Sequence, residues 1–395
     1  MIRPGKVIQV LLLLTITRMM LGFTPSLQIS KTVRSAARRI STLNMERQAF
    51  DTTYHAPVMW KECVSALLGC DRFQAREGTG EGESVIFVDG TLGGGGHSSA
   101  ILQSLLPGDM VIGSDVDSDA LKTASDRLKD YMGSKHEELP LFIPVQSNFA
   151  DLVSVLSSLE HPITKEPINL VGEVDGILLD LGISSYQIDT PERGFAFMKD
   201  GPLDMRMGHH RSLTAADLCN ELDERELSRI LKVYGDEPRA RKIARSIIQK
   251  RPLKTTSDLV SAVSAVVPEF VKKSRRMGKT ATLARVFQSF RIMVNQEDKV
   301  LEQALSEMCP TLLRPGGRMA VLSYHSMEDR ATKTIIRDGT FHPTRATFEK
   351  DIYGNLISDR PFRGLGKPRK ATDEEVEQNS RARSAKLRVA ERSAE

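Results

Sequence analysis

The sequence predicts an α/β protein: a doubly wound, mostly parallel sheet into which an all-helical segment is inserted. Three observations carry that expectation. Residues 85–117 run strand, glycine-rich turn, helix, strand, with an acid at the end of each strand. Short apolar runs at Leu141–Gln146 and Leu170–Asp180, bounded by turn residues, suit strands buried on both faces of a parallel sheet. From Ser212 to about Asn295 the apolar period is helical, and a strand returns only at Arg318–Tyr324. The chain therefore divides into a targeting leader (residues 1–45), a first core segment (46–185), a helical insertion (186–295) and a second core segment with a basic tail (296–395).

With 395 residues there is room for one large domain with an insertion, or for two domains. Hydrophobic content of 40% and charged content of 27% are those of an ordinary globular protein. A net charge of +4 permits an anionic partner without requiring one. Cys63, Cys70, Cys219 and Cys309 form no Cys-x-x-Cys pair and no metal-ligand spacing, so reduced, buried thiols and no metal are expected. The leader has no acid before Glu46 and carries Arg3, Lys6, Arg18, Lys31, Arg34, Arg38 and Arg39. Val7–Ile16 is apolar but too short for a stable membrane span. A basic start, a short apolar core and an Arg/Ser/Thr-rich stretch resemble a signal peptide followed by a transit peptide. That pattern predicts import into a plastid, with a mitochondrial presequence as the alternative and an uncleaved anchor as the third. The mature chain is expected to have no stable membrane association.

The mature chain opens with a helix at Met59–Leu68 and a polar linker at Arg76–Glu83. Val85–Asp89 is the first strand and runs into Gly93–Gly96, where the backbone can turn sharply and approach a ligand closely. Ser98–Leu106 is the next helix, stopped by Pro107 and Gly108, and Met110–Gly113 is the second strand. Asp115 follows the glycines by about 20 residues, the spacing at which a carboxylate meets ribose hydroxyls in doubly wound folds. No Gly-Lys-Ser/Thr phosphate loop is present. Asp89, beside the turn, would repel a pyrophosphate but suits the ammonium of a methionine moiety, which favours S-adenosylmethionine over NAD. Asp119–Tyr131 is an amphipathic helix and Leu141–Gln146 the third strand. Phe149 either covers an adenine or is a core aromatic starting the next helix.

Leu170–Asp180 is the fourth strand. Asp180 interrupts an apolar run, and burying a carboxylate is costly unless something compensates it. At the carboxyl end of the strand it would face a ligand instead. The stretch as far as Met207 is broken by Gly182, Pro191, Gly194, Gly201 and Pro202, yet it carries three aromatics and many charges. A long structured loop of that content is expected to form the floor of an active site. Insertion helices are expected at Thr214–Leu222, Asp223–Tyr234 and Pro238–Lys250, from a Thr256 or Ser257 cap to Pro268, and from about Thr282. Arg239, Arg241, Lys242, Arg245 and the loop Lys272–Lys279 suit a phosphate backbone or form a solvated face. Leu312–Gly317 turns into the strand Arg318–Tyr324, and His325 at its end either touches substrate or is structural. The tail from Arg360 is basic and turns strand-like at Ala385–Val389, with Arg381 and Arg383 facing phosphates or solvent.

Five stretches spread from Tyr54 to Arg392 resemble the MraW family of ribosomal small-subunit methyltransferases: VDGTLGGGGHS, DGILLDLGISSYQIDTPERGFAFMKDGPLDMRM, FQSFRI, LRPGGRMAVLSYHSMEDR and NSRARSAKLRVAER. The resemblance implies a class I S-adenosylmethionine-dependent methyltransferase core with a helical insertion, acting on N4 of a cytosine in the decoding region of 16S-type rRNA. It implies cofactor contacts at Gly95, Gly96, His97, Asp115, Phe149, Asp180 and Gln187, to which the charge argument adds Asp89. Where the family has His-Pro-Ala-Thr-Arg this chain has Ala281–Arg285, and only Arg285 matches. Arg285, Arg206 in the closing Asp-Met-Arg-Met run and His325 are expected to contact substrate. Cytosine N4 is a poor nucleophile because its lone pair is delocalised, so an acceptor at the amino group and a base for its proton are needed. Asp180 is the first candidate, with Ser184 and Ser185 behind it. Phe195 or Phe197 would stack on the unstacked base. The implied partner is small-subunit rRNA or a 30S-type subunit, and a homodimer is left open. A NAD-dependent oxidoreductase and a non-catalytic, RNA-binding assembly factor are the rival readings. Asp89 and the absent dinucleotide fingerprint oppose the first; intact Gly93–His97, Asp115 and Asp180 oppose the second.

Overall fold

The computed structural model describes residues 57–76, 82–133, 138–208, 212–267, 278–342 and 360–394. The leader, the Tyr54–Ala56 start and most of the basic loop after Pro268 lie outside the described residues. Eight strands form one sheet: β1 (Ile86–Asp89), β2 (Met110–Asp115), β3 (Leu141–Gln146), β4 (Val174–Asp180), β5 (Leu313–Ser323), β6 (Phe362–Gly364), β7 (Arg369–Lys370) and β8 (Lys386–Arg392). The first five are parallel, in the order 3-2-1-4-5, and β8 lies antiparallel against β5. The short β6 and β7 pair with β8 and were not foreseen, since two or three residues show no period.

Helices flank the sheet: α1 (Trp60–Leu67), α2 (Asp71–Ala75), α3 (Gly96–Leu102), α4 (Ser118–Arg127) and α5 (Leu152–Leu156) before β4. Between β4 and β5 the described chain has helices and no strand: α6 (Ser185–Asp189), α7 (Ala215–Glu221), α8 (Glu224–Val233), α9 (Ala240–Gln249), α10 (Thr256–Ser264), α11 (Lys279–Asn295), α12 (Glu297–Gln303) and α13 (Cys309–Leu312). α14 (Ser326–Asp338) and α15 (Asp373–Gln378) complete the chain. Their starts follow from capping chemistry, in which a side-chain oxygen satisfies an orphan N–H of the first turn. Asp223 accepts from Glu226 N at the start of α8, and Thr255 with Asp258 forms a reciprocal capping box at α10, one residue earlier than expected.

Two apolar cores stand out among the described residues. One lies on a single face of the sheet, where Val88, Ile112, Ile177, Leu179 and Val321 line up across neighbouring strands. The other lies inside the insertion, where Leu218, Leu231, Ile243, Leu259 and Phe290 meet. The turn expected at Leu312–Gly317 is instead the start of β5, with a register irregularity against β4 between Val174 and Gly176. Glycine permits it, because a Cβ at Gly317 would lie 2.9 Å from two carbonyl oxygens.

The loop after α6 folds back on itself so tightly that two of its glycines have no substitute. A Cβ at Gly194 (φ +71°) would sit 2.2 Å from Pro202 O, and one at Gly201 would sit 2.0 Å from Pro191 O. Gly108 has a similar φ of +88° but open space around it. Gly108→Ala should therefore lose about 1 kcal/mol from backbone strain alone. Gly194→Ala should lose about 3 kcal/mol or more, because backbone must move as well. Denaturant midpoints of the two variants measure the difference, and equal losses would show that the loop is not so constrained.

Candidate active site

β1, β2 and β3 run to one side of the sheet, and β4 returns on the other side of β1. Neighbouring connections therefore leave in opposite directions at the carboxyl ends of β1 and β4, which is where open α/β sheets hold ligands. A cavity of about 830 Å³ lies there, walled by the glycine turn, the loop after β4, α11, α12 and the chain following β5. That volume admits a nucleoside-sized cofactor together with part of a second ligand.

The glycine turn is held from below. Gly93 N donates to Asp115 Oδ2 at 2.8 Å and Asp117 N donates to Asp115 Oδ1 at 2.9 Å. Burial pushes the Asp115 pKa up to about 6, against the opposing effect of those two donors. Asp115 still lines the cavity, as do Gly96, His97 and Phe149. Gly90 makes room for Phe149, since a Cβ there would lie 3.2 Å from the Phe149 Cβ.

Asp180, at the carboxyl end of β4, also lines the cavity. Its backbone N donates to Thr91 Oγ1 at 2.6 Å, which ties the end of β4 to the turn after β1. Tyr324 donates its hydroxyl to Asp180 Oδ1 at 2.7 Å. His97 Nδ1 stands 3.4 Å from Asp180 Oδ2, and the other ring nitrogen is 3.1 Å from Val58 O. Burial pushes the Asp180 pKa up, opposed by His97 and by the Tyr324 hydrogen bond.

Behind Tyr324 lies a second charged cluster. Glu328 Oε2 accepts from the backbone N of Tyr324 at 2.7 Å, and Oε1 is 2.8 Å from His325 Nε2. Burial would raise the Glu328 pKa, but His325 and Arg291 outweigh it and hold it low. Glu297, His325 and Glu328 place ligand atoms within 4.8 Å of one another, as a divalent cation would require. Arg291, however, forks onto both oxygens of Glu297 at 2.8 Å each, so a guanidinium already supplies the positive charge.

Comparison with known proteins places the chain in a family. Residues 52–393 match the MraW methylase family. The chain belongs to that family. A protein named ribosomal RNA small subunit methyltransferase H from Cytophaga hutchinsonii is 40% identical over 342 residues, 86% of this chain and 99% of that one. The protein of the same name from Geobacter sulfurreducens is 43% identical over 312 residues, covering 78% and 92%. The α/β core of this MraW methylase is accordingly a class I methyltransferase fold, with a helical segment between β4 and β5.

Several expected site residues lie elsewhere in this MraW methylase. Asp89 is fully buried under the turn, where Ser98 Oγ (2.7 Å) and Thr91 N (3.2 Å) donate to it, and it does not line the cavity. A carboxylate so enclosed cannot meet a ligand's ammonium. Gly95 does not line the cavity either; its left-handed φ of +74° starts α3. Arg206 forks onto Asp204 at 2.7 and 2.8 Å and is not among the cavity-lining residues. Arg285 forms an ion pair with the fully buried Glu237 between α11 and the end of α8, so it holds the insertion together rather than a substrate.

The remainder do come together, some with different work. Ser184 and Gln187 line the cavity, but Ser184 Oγ accepts from Gln187 N and Gln187 Nε2 donates to Asp117 at 3.1 Å. The Ser185 side chain lies outside the described residues. Phe195 is a cavity residue that is nearly buried in the insertion core, and Phe197 meets Phe287 edge-on at 5.7 Å. His325 lines the cavity with its ring against Glu328. Thr91, Arg291 and above all Tyr324 were missed. The tyrosine stands between the strand Arg318–Ser323 and His325, at a strand end like Asp180, and that position was the signal.

The reassignment of Arg285 can be checked by stability. Removing one partner of a buried pair leaves an uncompensated charge. Arg285→Met should lower unfolding free energy by about 3–5 kcal/mol. Below its melting temperature the folded variant should bind RNA like the parent; a specific loss of RNA affinity without destabilisation would restore Arg285 to the substrate surface.

Proposed function

We propose that this MraW methylase transfers a methyl group from S-adenosylmethionine to N4 of a cytosine in the decoding region of an organelle's small-subunit rRNA. The observation that carries the reading is Asp180, a half-buried acid at the switch point of the sheet, lining a cavity large enough for cofactor and base. The donor set beside it suits the cofactor: Asp115 for ribose hydroxyls, Phe149 for the adenine, and the exposed backbone of the glycine turn for the methionine moiety. Arg127, the cation nearest that turn, donates to Gly94 O at 2.9 Å and so supports the loop. When bound, the cofactor supplies a methyl group on a positively charged sulfur, a good leaving group.

The chain's own task is then to orient the acceptor nitrogen and to take its proton. A carboxylate at the amino group does both, by accepting one N–H as a hydrogen bond and drawing the lone pair out of the ring. The base must leave its stack to arrive there. Phe197 lies on the wall it would pass and Met198, 81% exposed, at the cavity's edge. The relatives named for the small-subunit RNA support the substrate class, and the acid-free basic leader supports an organelle, plastid before mitochondrion. The partner in this reading is the small subunit or its RNA.

Incubating the protein with tritiated S-adenosylmethionine and small subunits, naked rRNA or tRNA, followed by nucleoside analysis, tests it. N4-methylcytidine in small-subunit RNA is the expected product, and label in another nucleoside or in tRNA would replace this reading. Asp180→Ala should abolish transfer while leaving RNA binding intact.

The Asp115 carboxylate gives a second check. Its pKa, pushed up to about 6 by burial, lies where ordinary buffers titrate it. A ribose hydroxyl donates more strongly to the ionised form. Calorimetry should therefore show affinity for S-adenosylmethionine falling by up to about tenfold per pH unit below about 6. Asp115→Asn should bind weakly and without that dependence; an unchanged slope would move the titrating group elsewhere.

A further inference from the structure

We propose that Tyr324 and His97 are positioning residues for Asp180, the tyrosine fixing one carboxylate oxygen and the histidine sharing the proton that the other collects. This rests on the reading of N4 methyl transfer above. Each carboxylate oxygen has its own neighbour: Oδ1 accepts from the Tyr324 hydroxyl at 2.7 Å, and Oδ2 faces His97 Nδ1 at 3.4 Å.

The hydrogen positions follow from what each partner can do. Val58 O is a carbonyl and only accepts, so the His97 nitrogen 3.1 Å from it, Nε2, must carry the ring's hydrogen. In neutral His97 the nitrogen facing Asp180 is then a bare lone pair. With His97 neutral and Asp180 ionised, that lone pair and the carboxylate oxygen, both acceptors, face each other across 3.4 Å. One added proton turns this repulsive contact into a hydrogen bond. Methyl transfer to an amino group releases one proton. The new N–C bond forms as the C–S bond breaks, the bonding pair stays on sulfur, and the N4 proton passes to Asp180 Oδ2, shared with His97.

The surroundings fit a site that gains a proton. Facing Asp180 from neighbouring elements are Asp89 at the end of β1, Glu328 on α14 and Cys63 on α1, as well as His97 and Tyr324. Burial and the Asp180 charge hold the Tyr324 phenol well above its ordinary range, so it stays a donor. The histidine is braced in turn. Met59, next to Val58, has a left-handed φ of 51°, and its N–H donates to Glu375 Oε1 of α15 at 2.6 Å. The carbonyl that orients His97 is thus held by a contact from the far end of the chain.

The test begins with the parent protein, small subunits and nucleoside analysis. If no N4-methylcytidine forms, the reading falls and this inference falls with it. If it forms, Tyr324→Phe, which keeps the ring, decides the inference separately. The variant should lose about 10- to 100-fold in kcat, while Kd for S-adenosylmethionine and KM for RNA stay within about twofold. Loss of a donor to the carboxylate favours its protonated form, so the acid limb of the kcat profile should move up by about one pH unit. Unchanged kcat and an unmoved limb in Tyr324→Phe would overturn the proposal. A readout without cofactor uses nitrogen-15 spectra of labelled histidine, with His97 identified by its absence in His97→Gln. Neutral His97 should carry its hydrogen on Nε2 in the parent, and the Nδ1–H tautomer would overturn the arrangement even if a variant failed to fold.

Discussion

Three carboxylates at the ends of adjacent parallel strands set the terms for the rest of this structure. Asp89, Asp115 and Asp180 end β1, β2 and β4, where burial raises the pKa of each. A buried carboxylate is costly unless hydrogen-bond donors reach it, and each of the three is answered differently. Asp89 is enclosed by the first turn of α3 and becomes structural. Asp115 gathers two backbone N–H groups and shapes the glycine turn. Asp180 is answered by the Tyr324 hydroxyl, a donor from a distant stretch that also borders the cavity.

The insertion depends on the same economy of polar contacts. Asp117 caps α4 and also takes Arg193 Nη1 at 2.8 Å and Gln187 Nε2 at 3.1 Å, which fastens the loop after β4 to the cofactor side. At the loop's other end Asn295, the last residue of α11, accepts from Met207 N and donates to Met205 O. Met205 adopts a left-handed φ of 65° between those clamps. The loop therefore ties two parts of the fold together: Phe195, Leu203 and Met205 sit in the insertion core, and Arg193 reaches Asp117, just past β2. A wall built in this way keeps Phe197 and Met198 at the mouth of a cavity whose base is Asp180.

Much of this was legible in the amino-acid order because the physics involved is local. Apolar runs bounded by glycine and proline gave the five parallel strands, and Asp223 announced the start of α8 by the spacing to Glu226. Asp180 could be placed at a strand end because a carboxylate is costly mid-strand without compensation, and Asp115 by its spacing from the glycines. Asp89 obeyed the same rule and was misread, since nothing in its neighbourhood says that Ser98, nine positions on, would close over it. Arg285 and Arg206 were expected at the substrate because they fall in stretches that resemble the family; their partners Glu237 and Asp204 decide otherwise.

The sequence by itself determined the five parallel strands and the helices of the insertion, the glycine turn, the break in period that marks the insertion, and the family. These rest on periodicity, capping and turn chemistry over a few residues. Only the tertiary structure decided which charges are spent on the fold and which face the cavity. Tyr324 meets Asp180 across 144 positions and Arg285 meets Glu237 across 48, and such pairings exist only once the sheet has ordered its strands and the insertion has packed its helices.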